Sequence, residues 1–155
     1  VEITPEVYID LIHETLLRIT NAEVSITAPV TDAVSLKAGD VTIRDLFYLY
    51  PFDNFPVTLK LSGQEIESLL KYSNELQKPE SRYKRFYNDL SAKYSTNIPL
   101  DQTKLYTVVM NSYHASDGGE MLSKGTGLNI EIIKSRIVRI FPENIREHLF
   151  KTENR

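Results

Sequence analysis

The chain has no cysteine and no tryptophan. Without cysteine there is no disulfide scaffold, no zinc–cysteine site and no thiol nucleophile. Its three histidines, His13, His114 and His148, lie far apart in the sequence. No H-E-x-x-H, D-x-H or G-N-H triplet occurs, so a hydrolytic dimetal centre has no visible ligand set. The chain also lacks a phosphate-binding G-x-x-x-x-G-K-[ST] loop, a G-x-G-x-x-G turn and a G-x-S-x-G elbow. No apolar run approaches the roughly 18 residues that a membrane span requires. Neither sign of charge dominates: Lys and Arg number 18, Asp and Glu 21, and the net charge of −3 is too mild to imply a polyanionic partner. Val1 does not begin a signal peptide. The chain is expected to be a mature or excised piece whose targeting the sequence does not display.

What is present is an ordinary globular balance. At 155 residues, with 41% apolar and 25% charged side chains, a single domain over residues 1–155 is expected, able to fold without metal or disulfide. Pro5 to Thr20 reads as a helix. Thr4 can cap it, Pro5 suits the first position and Glu6 favours the positive helix end. Val7, Leu11, Ile12, Leu16 and Ile19 recur at helical spacing and should face the core. His13 beside them reads as a partly exposed, hydrogen-bonded histidine. Ala22 to Thr27 alternates apolar and polar, the pattern of a half-buried strand that ends at Ala28-Pro29. Thr31 to Asp40 is read as a loop. Thr42 to Asp45 matches a capping box opening a short helix, Ile43 to Leu49. Pro51 breaks it. Phe52 then sits in a turn beside Asp53 and Asn54, either as a core plug or as an exposed binding face.

Val57 to Leu61 reads as a strand joined almost without a loop to a second capping box, Ser62 to Glu65, and a helix running to about Leu76. Gln77 to Lys104 shows the least organisation. Within it Arg82 to Tyr87 interleaves basic and aromatic residues, a pattern that can stack on and neutralise nucleic acid. In a slightly acidic chain it reads instead as a solvated loop lying over the core. Leu105 to Met110 is a buried strand. Met121-Leu122 begins a short helix. Ile130 to Ile140, rich in β-branched residues, reads as a strand, with a helix as the alternative for so short an apolar run. Pro142 to Phe150 reads as a terminal helix with Ile145 and Leu149 inward. Strands and helices mix without a regular βαβ repeat, so the fold class is α+β with a mixed sheet.

The stretch around which the rest is organised is Asn111-Ser-Tyr-His-Ala-Ser-Asp-Gly-Gly-Glu-Met121. It leaves the end of a strand, places Tyr113 beside it, and turns on Gly118 and Gly119. Glycines let the backbone bend or approach a ligand closely, and an aromatic beside them offers a flat apolar face. Together they could form a wall for a planar ligand such as a nucleobase. The same residues also suit an ordinary strand-to-helix turn with a half-buried tyrosine.

Several pieces, in order, are similar to one family. They are Ile26 to Pro29, Lys37 to Leu46, Leu49-Tyr50 through Asn54, Leu59 to Ile66, and Asn111 to Gly119. On them the chain resembles the C-terminal, substrate-binding domain of the 5′-nucleotidase family, and within it the 2′,3′-cyclic-nucleotide 2′-phosphodiesterase/3′-nucleotidase branch. The resemblance implies a two-part enzyme, exported or periplasmic. A separate metallophosphoesterase domain, in cis or in trans, would hold two divalent metals and hydrolyse the ester. This chain would hold no cofactor and no catalytic residue, and would clamp a nucleoside or nucleotide. By the resemblance, Phe52 and Tyr113 occupy the places of the two stacking aromatics. Asn54, Asn111, His114, Asp117, Gly118 and Gly119 surround the same pocket. The chain also departs from the pattern. Ala28-Pro29-Val30-Thr31 stands where 5′-nucleotidases carry Gly-Gly-Ile-Arg, whose Arg meets the phosphate. His114 stands in place of an Arg and Asp117 in place of a Gly. Gly119 stands where an Asp would hold the ribose, with Asp117 and Glu120 as neighbours able to substitute. A degenerate interaction module that no longer binds nucleotide is the alternative.

Overall fold

A computed structural model of the chain describes residues 3–30, 39, 42–77 and 88–150. Two stretches singled out in the sequence, most of the loop from Thr31 to Asp40 and the basic–aromatic run from Arg82 to Tyr87, lie outside the described residues. The described chain forms a five-stranded mixed sheet covered by helices on both faces. The first helix, α1 (Pro5–Thr20), starts where its signals place it: the Thr4 hydroxyl accepts a hydrogen bond from the Val7 amide. Strand β1 (Val24–Thr27) and helix α2 (Ile43–Leu49) follow. Strand β2 (Pro56–Ser62) runs directly into α3 (Gly63–Leu76). Both capping boxes form, with reciprocal bonds between Thr42 and Asp45 and between Ser62 and Glu65. Then come β3 (Ser91–Tyr94), β4 (Leu105–Asn111), a single turn α4 (Ser112–Ala115), α5 (Met121–Thr126), α6 (Ile130–Arg136) and β5 (Ile137–Ile140).

The sheet order is β3-β1-β4-β2-β5. Only β1 and β4 pair in parallel; β3 with β1, β2 with β4 and β2 with β5 are antiparallel. One apolar cluster joins Ile26, Leu59, Val108 and Met110 to Ile66 and Leu69 of α3, Met121 and Leu122 of α5, and Ile133 of α6. A second cluster, which takes Val109 from β4, joins Tyr8, Ile12 and Leu16 of α1 to Leu49, Tyr50, Ile145 and Leu149. Successive residues of a strand point to opposite faces, so Val108 and Val109 belong to different cores. Gly63 marks the zero-length joint between β2 and α3. A Cβ there would lie 2.2 Å from the Asp101 carbonyl oxygen. Among the described residues no helix is long and apolar enough to cross a membrane.

Six readings change. The strand at Val24–Thr27 is buried throughout, not half-buried, because α1 covers the face that carries Ser25 and Thr27. His13 is buried, only 4% exposed, with Nδ1 2.8 Å from the Ser25 hydroxyl and Nε2 2.9 Å from that of Ser91. The buried stripe of α1 is Tyr8, Ile12, His13, Thr15 and Leu16, with Val7 left exposed. It turns this way because Tyr8 reaches across to donate to the Leu49 carbonyl and His13 meets the β1 hydroxyl.

The stretch from Ile130 to Ile140 is half helix and half strand. Asn129 caps α6 by accepting from the Ile132 amide, and β5 begins only at Ile137. Pro142 to Phe150 holds just a 3₁₀ turn, Ile145–His148, although Ile145 and Leu149 are buried as their spacing suggests. Finally, the poorly patterned middle contributes an edge strand, β3, paired with β1.

Candidate functional site

The site forms where β4 ends. Asn111 closes that strand and caps α4, its side-chain oxygen accepting from the His114 amide at 2.8 Å. One turn of helix then separates two neighbours. Tyr113 stays 48% exposed, whereas His114 is buried. Their rings meet edge to face at 5.1 Å and 71°. Behind Tyr113 the chain doubles back through left-handed backbone at Asp117, Gly119 and Glu120. Gly118 comes so close that a Cβ there would lie 2.6 Å from both Cε1 and Cε2 of Tyr113 and 2.5 Å from its carbonyl oxygen. Near-equal distances to both ring carbons put Gly118 over one face of the ring. The opposite face is therefore the one that remains for a ligand.

A second loop faces this turn. It leaves α2 at Tyr50 and reaches β2 at Pro56. Tyr50 is fully buried, and burial pushes its phenol up to about 12, so it stays a neutral donor and acceptor. Its hydroxyl accepts from the Asn54 amide at 3.1 Å. Phe52 is 45% exposed, which rules out the core plug. The Phe55 amide donates to the Ser112 hydroxyl at 3.0 Å and so ties this loop to α4. The loop is held on its other side by the terminal 3₁₀ turn. The Ile145 amide donates to the Asn54 carbonyl at 2.8 Å, and Asn144 donates to Asp53 at 3.0 Å. Arg146 donates to the Tyr50 carbonyl at 2.8 Å, to the Phe52 carbonyl at 3.3 Å and to the Asp53 carboxylate at 2.6 Å. That guanidinium holds the Asp53 carboxyl below the usual carboxylate range.

Between the two loops lies a cleft of about 250 Å³, lined by Val30, Phe52, Asn54, Asn111, Tyr113 and His114. Drug-sized ligands occupy clefts of roughly 300–1,000 Å³, so this one has the scale of a ring system rather than of a whole nucleotide. Its two exposed walls are aromatic. Asn54 and Asn111, both buried, add amides that can donate to and accept from the edge of a heterocycle. Phe52 and Tyr113 are 61 positions apart, yet the fold brings them to one cavity.

Five of the eight expected residues, Phe52, Asn54, Asn111, Tyr113 and His114, line this cleft. The other three build the turn behind it. Asp117 accepts from the amide and the hydroxyl of Ser123 at 2.8 and 2.6 Å, which tethers the start of α5. Gly118 backs the Tyr113 ring, and Gly119 packs against the Asn88 side chain at positive φ. Glu120 pairs with Lys124 at 2.7 Å. Val30 and the Tyr50–Arg146 support were not anticipated as site residues. Val30 could have been found, since it stands in the stretch that replaces the phosphate-binding motif. Arg146 gave no local signal. Among the described residues no group of three His, Cys, Asp or Glu side chains could hold a metal ion.

Solved structures share the fold, among them these three. A candidate 5′-nucleotidase of Staphylococcus aureus, solved with α-ketoglutarate, is 19% identical with a TM-score of 0.71; the alignment covers 92% of this chain and 32% of that one. A 5′-nucleotidase precursor of Thermus thermophilus is 20% identical with a TM-score of 0.65, covering 90% and 30%. The NAD nucleotidase NadN of Haemophilus influenzae is 20% identical with a TM-score of 0.55, covering 73% and 24%. The chain thus spans about a third of the length of these proteins or less. No curated protein matches its sequence. The sequence does match the family described as 5′-nucleotidase, C-terminal domain, over residues 2–124. With four-fifths of its length inside that match, the chain belongs to the 5′-nucleotidase C-terminal domain family.

Proposed function

We propose that this chain is the nucleoside-recognition part of a nucleotide phosphohydrolase, of 5′-nucleotidase or 2′,3′-cyclic phosphodiesterase/3′-nucleotidase type. The base would stack between Phe52 and Tyr113, with Asn54 and Asn111 meeting its edge. The observation that carries this reading is the convergence of two half-exposed aromatics from distant loops on one small cleft with buried amides. A metallophosphoesterase domain, in cis or in trans, would hold the two divalent metals and hydrolyse the ester, and the assembly would work outside the cytoplasm. This chain's contribution would be positioning: a base held between fixed rings leaves the sugar phosphate few orientations. Within the family, the stretch Ala28 to Thr31 offers no arginine to a phosphate, which favours the cyclic phosphodiesterase branch.

Stacking is worth about 1–3 kcal/mol per base on each aromatic. Two faces then give roughly 2–6 kcal/mol before ordering costs, and a dissociation constant of 1 mM corresponds to about 4 kcal/mol. The isolated chain should therefore bind adenosine in the millimolar range. The test is an NMR titration with adenosine and then 3′-AMP at low salt, since no tryptophan reports by fluorescence. Amide shifts centred on Phe52 and Tyr113, lost in the Phe52→Ala, Tyr113→Ala double variant, are expected. No shift up to about 10 mM, tenfold beyond the scale set by stacking, would refute the reading.

A second reading rests on a specific observation. The two carboxylates that could replace a ribose-binding aspartate are engaged by the fold, Asp117 with Ser123 and Glu120 with Lys124. A domain without a ribose anchor could serve as a protein-interaction module instead. A silent titration, with an unaltered fold, is its signature.

A further inference from the structure

Arg146 is nearly buried, and the hydrogen bonds of its guanidinium among the described residues go to the loop that carries Phe52. Its Nη1 reaches the carbonyls of Tyr50 and Phe52, and its Nη2 the carboxylate of Asp53. The plane of its guanidinium covers the Phe47 ring, with Cζ 3.8 Å from the centroid. Just before it in the chain, Asn144 and Ile145 bond the same loop at Asp53 and Asn54. The Phe52 loop has no regular secondary structure of its own between α2 and β2. Its conformation is therefore set by these bonds, by Asn54 on the Tyr50 hydroxyl and by Phe55 on Ser112. All of Asn144, Ile145 and Arg146 lie beyond residue 124, where the family match ends.

We infer that Arg146 is the positioning residue for the Phe52 wall of the cleft, presenting that ring ready-oriented to a base. The inference rests on the nucleoside reading above. The chemistry requires arginine. A planar fork with several fixed donors can serve two carbonyls and a carboxylate while stacking on an aromatic, whereas a lysine ammonium is a point charge on a flexible stem. A loop held before the ligand arrives loses less freedom on binding, so the ordering cost falls and affinity rises. Loss of Arg146 should act on the base and leave the phosphate end untouched.

The matched control is the other arginine fork of the fold. Arg136 donates to both carboxylate oxygens of Glu65, at 2.9 and 3.2 Å, at the opposite end of β2. The experiment compares Arg146→Lys with Arg136→Lys in the full chain. Adenosine titration by NMR gives affinity, and ¹⁵N relaxation of the Phe52 and Asp53 amides gives loop order. Arg146→Lys is expected to weaken adenosine binding by about tenfold, the effect of losing one good hydrogen-bonded contact. It should also raise fast motion at Phe52 and Asp53. Arg136→Lys, although it breaks an equivalent pair, should do neither. Equal affinity losses in both variants would reduce Arg146 to general stability and overturn the inference. So would unchanged loop relaxation in Arg146→Lys. If the wild type itself binds no adenosine, the nucleoside reading fails on its own, and the relaxation comparison still decides whether Arg146 orders the Phe52 loop.

Discussion

Acid should destabilise this fold through His13 well before its carboxylates protonate. His13 is sealed beneath α1 between the hydroxyls of Ser25 and Ser91. Burial is the main reason its pKa falls to about 4. Asp10 and Glu14 favour its charged form, while Lys93, bonded to Asp10 and paired with Glu14, opposes it. In the unfolded chain the imidazole titrates near 6.5. Above that pH both states are neutral and the histidine contributes nothing to the pH dependence. As pH falls from about 6.5 to about 4, the unfolded state takes up a proton that the folded state refuses, and stability declines. At about 1.36 kcal/mol per pKa unit, the loss is about 2 kcal/mol at pH 5 and about 3 kcal/mol at pH 4. Against a typical total of about 5–15 kcal/mol, that is a large share. The serine hydroxyls can turn to accept from the imidazolium, so the cost is one of desolvation rather than of lost hydrogen bonds. Urea denaturation followed by far-UV circular dichroism at pH 7 and pH 5 measures it. The His13→Gln variant, less stable at pH 7, should lose about 2 kcal/mol less across that window than the wild type. Equal losses in both proteins, or a His13 ring that titrates by NMR near 6.5, would refute the reasoning.

Three further outcomes follow from the turn and the joint. Gly118→Ala drives a Cβ onto the Tyr113 ring and its backbone carbonyl, so adenosine affinity should drop by about tenfold, read by NMR, with a stability loss of about 1–3 kcal/mol in urea denaturation. Gly63→Ala meets the Asp101 backbone, which cannot swing aside as a side chain would; a loss of about 1–3 kcal/mol is expected in urea denaturation. Asp117→Ala removes two bonds to Ser123 and puts alanine at φ 63, so it should cost about 1–3 kcal/mol of stability. Because Asp117 does not line the cleft, adenosine affinity should hold; a tenfold loss of affinity without loss of stability would instead make it a ribose ligand.

What the sequence made legible was local. Thr4, Thr42 and Ser62 announce helix starts through chemistry confined to four residues, and each forms its cap. The apolar runs of β2 and β4 carry their own burial. The misreadings occurred where distant partners decide. Ser91–Tyr94 alternates polar and apolar over only four residues, too short a run to stand out, and it becomes a strand because β1 offers it an open edge. At Ile130 the β-branched run outweighed Asn129, whose cap was the overlooked helix signal. His13 reads as partly exposed in the sequence because nothing near it predicts Ser25 and Ser91 as partners. In the cleft, Phe52 could not be told from a core residue by its neighbours alone. Its exposure goes with a buried Tyr50 two residues before it and with Arg146 arriving from 94 residues away to hold both carbonyls.

The sheet order also bears on how the chain is made. Val24 pairs with Tyr94 and with Val108, so β1 leaves the ribosome long before either partner exists. Val24 and Val108 stand 84 positions apart, and at roughly 5–20 residues added per second the parallel partner follows about 4 to 17 seconds later. At the start of that interval β1 has only α1, its immediate neighbour in the chain, to cover one face, and its other face waits for α3. Both of its hydrogen-bonding edges stay open until β3 emerges, and one of them until β4 does, which is the state in which nascent strands pair with the wrong chain. Codon usage between β1 and β4 therefore sets how long that vulnerability lasts. Pauses placed there should lower soluble yield, and pauses placed after Asn111 should not.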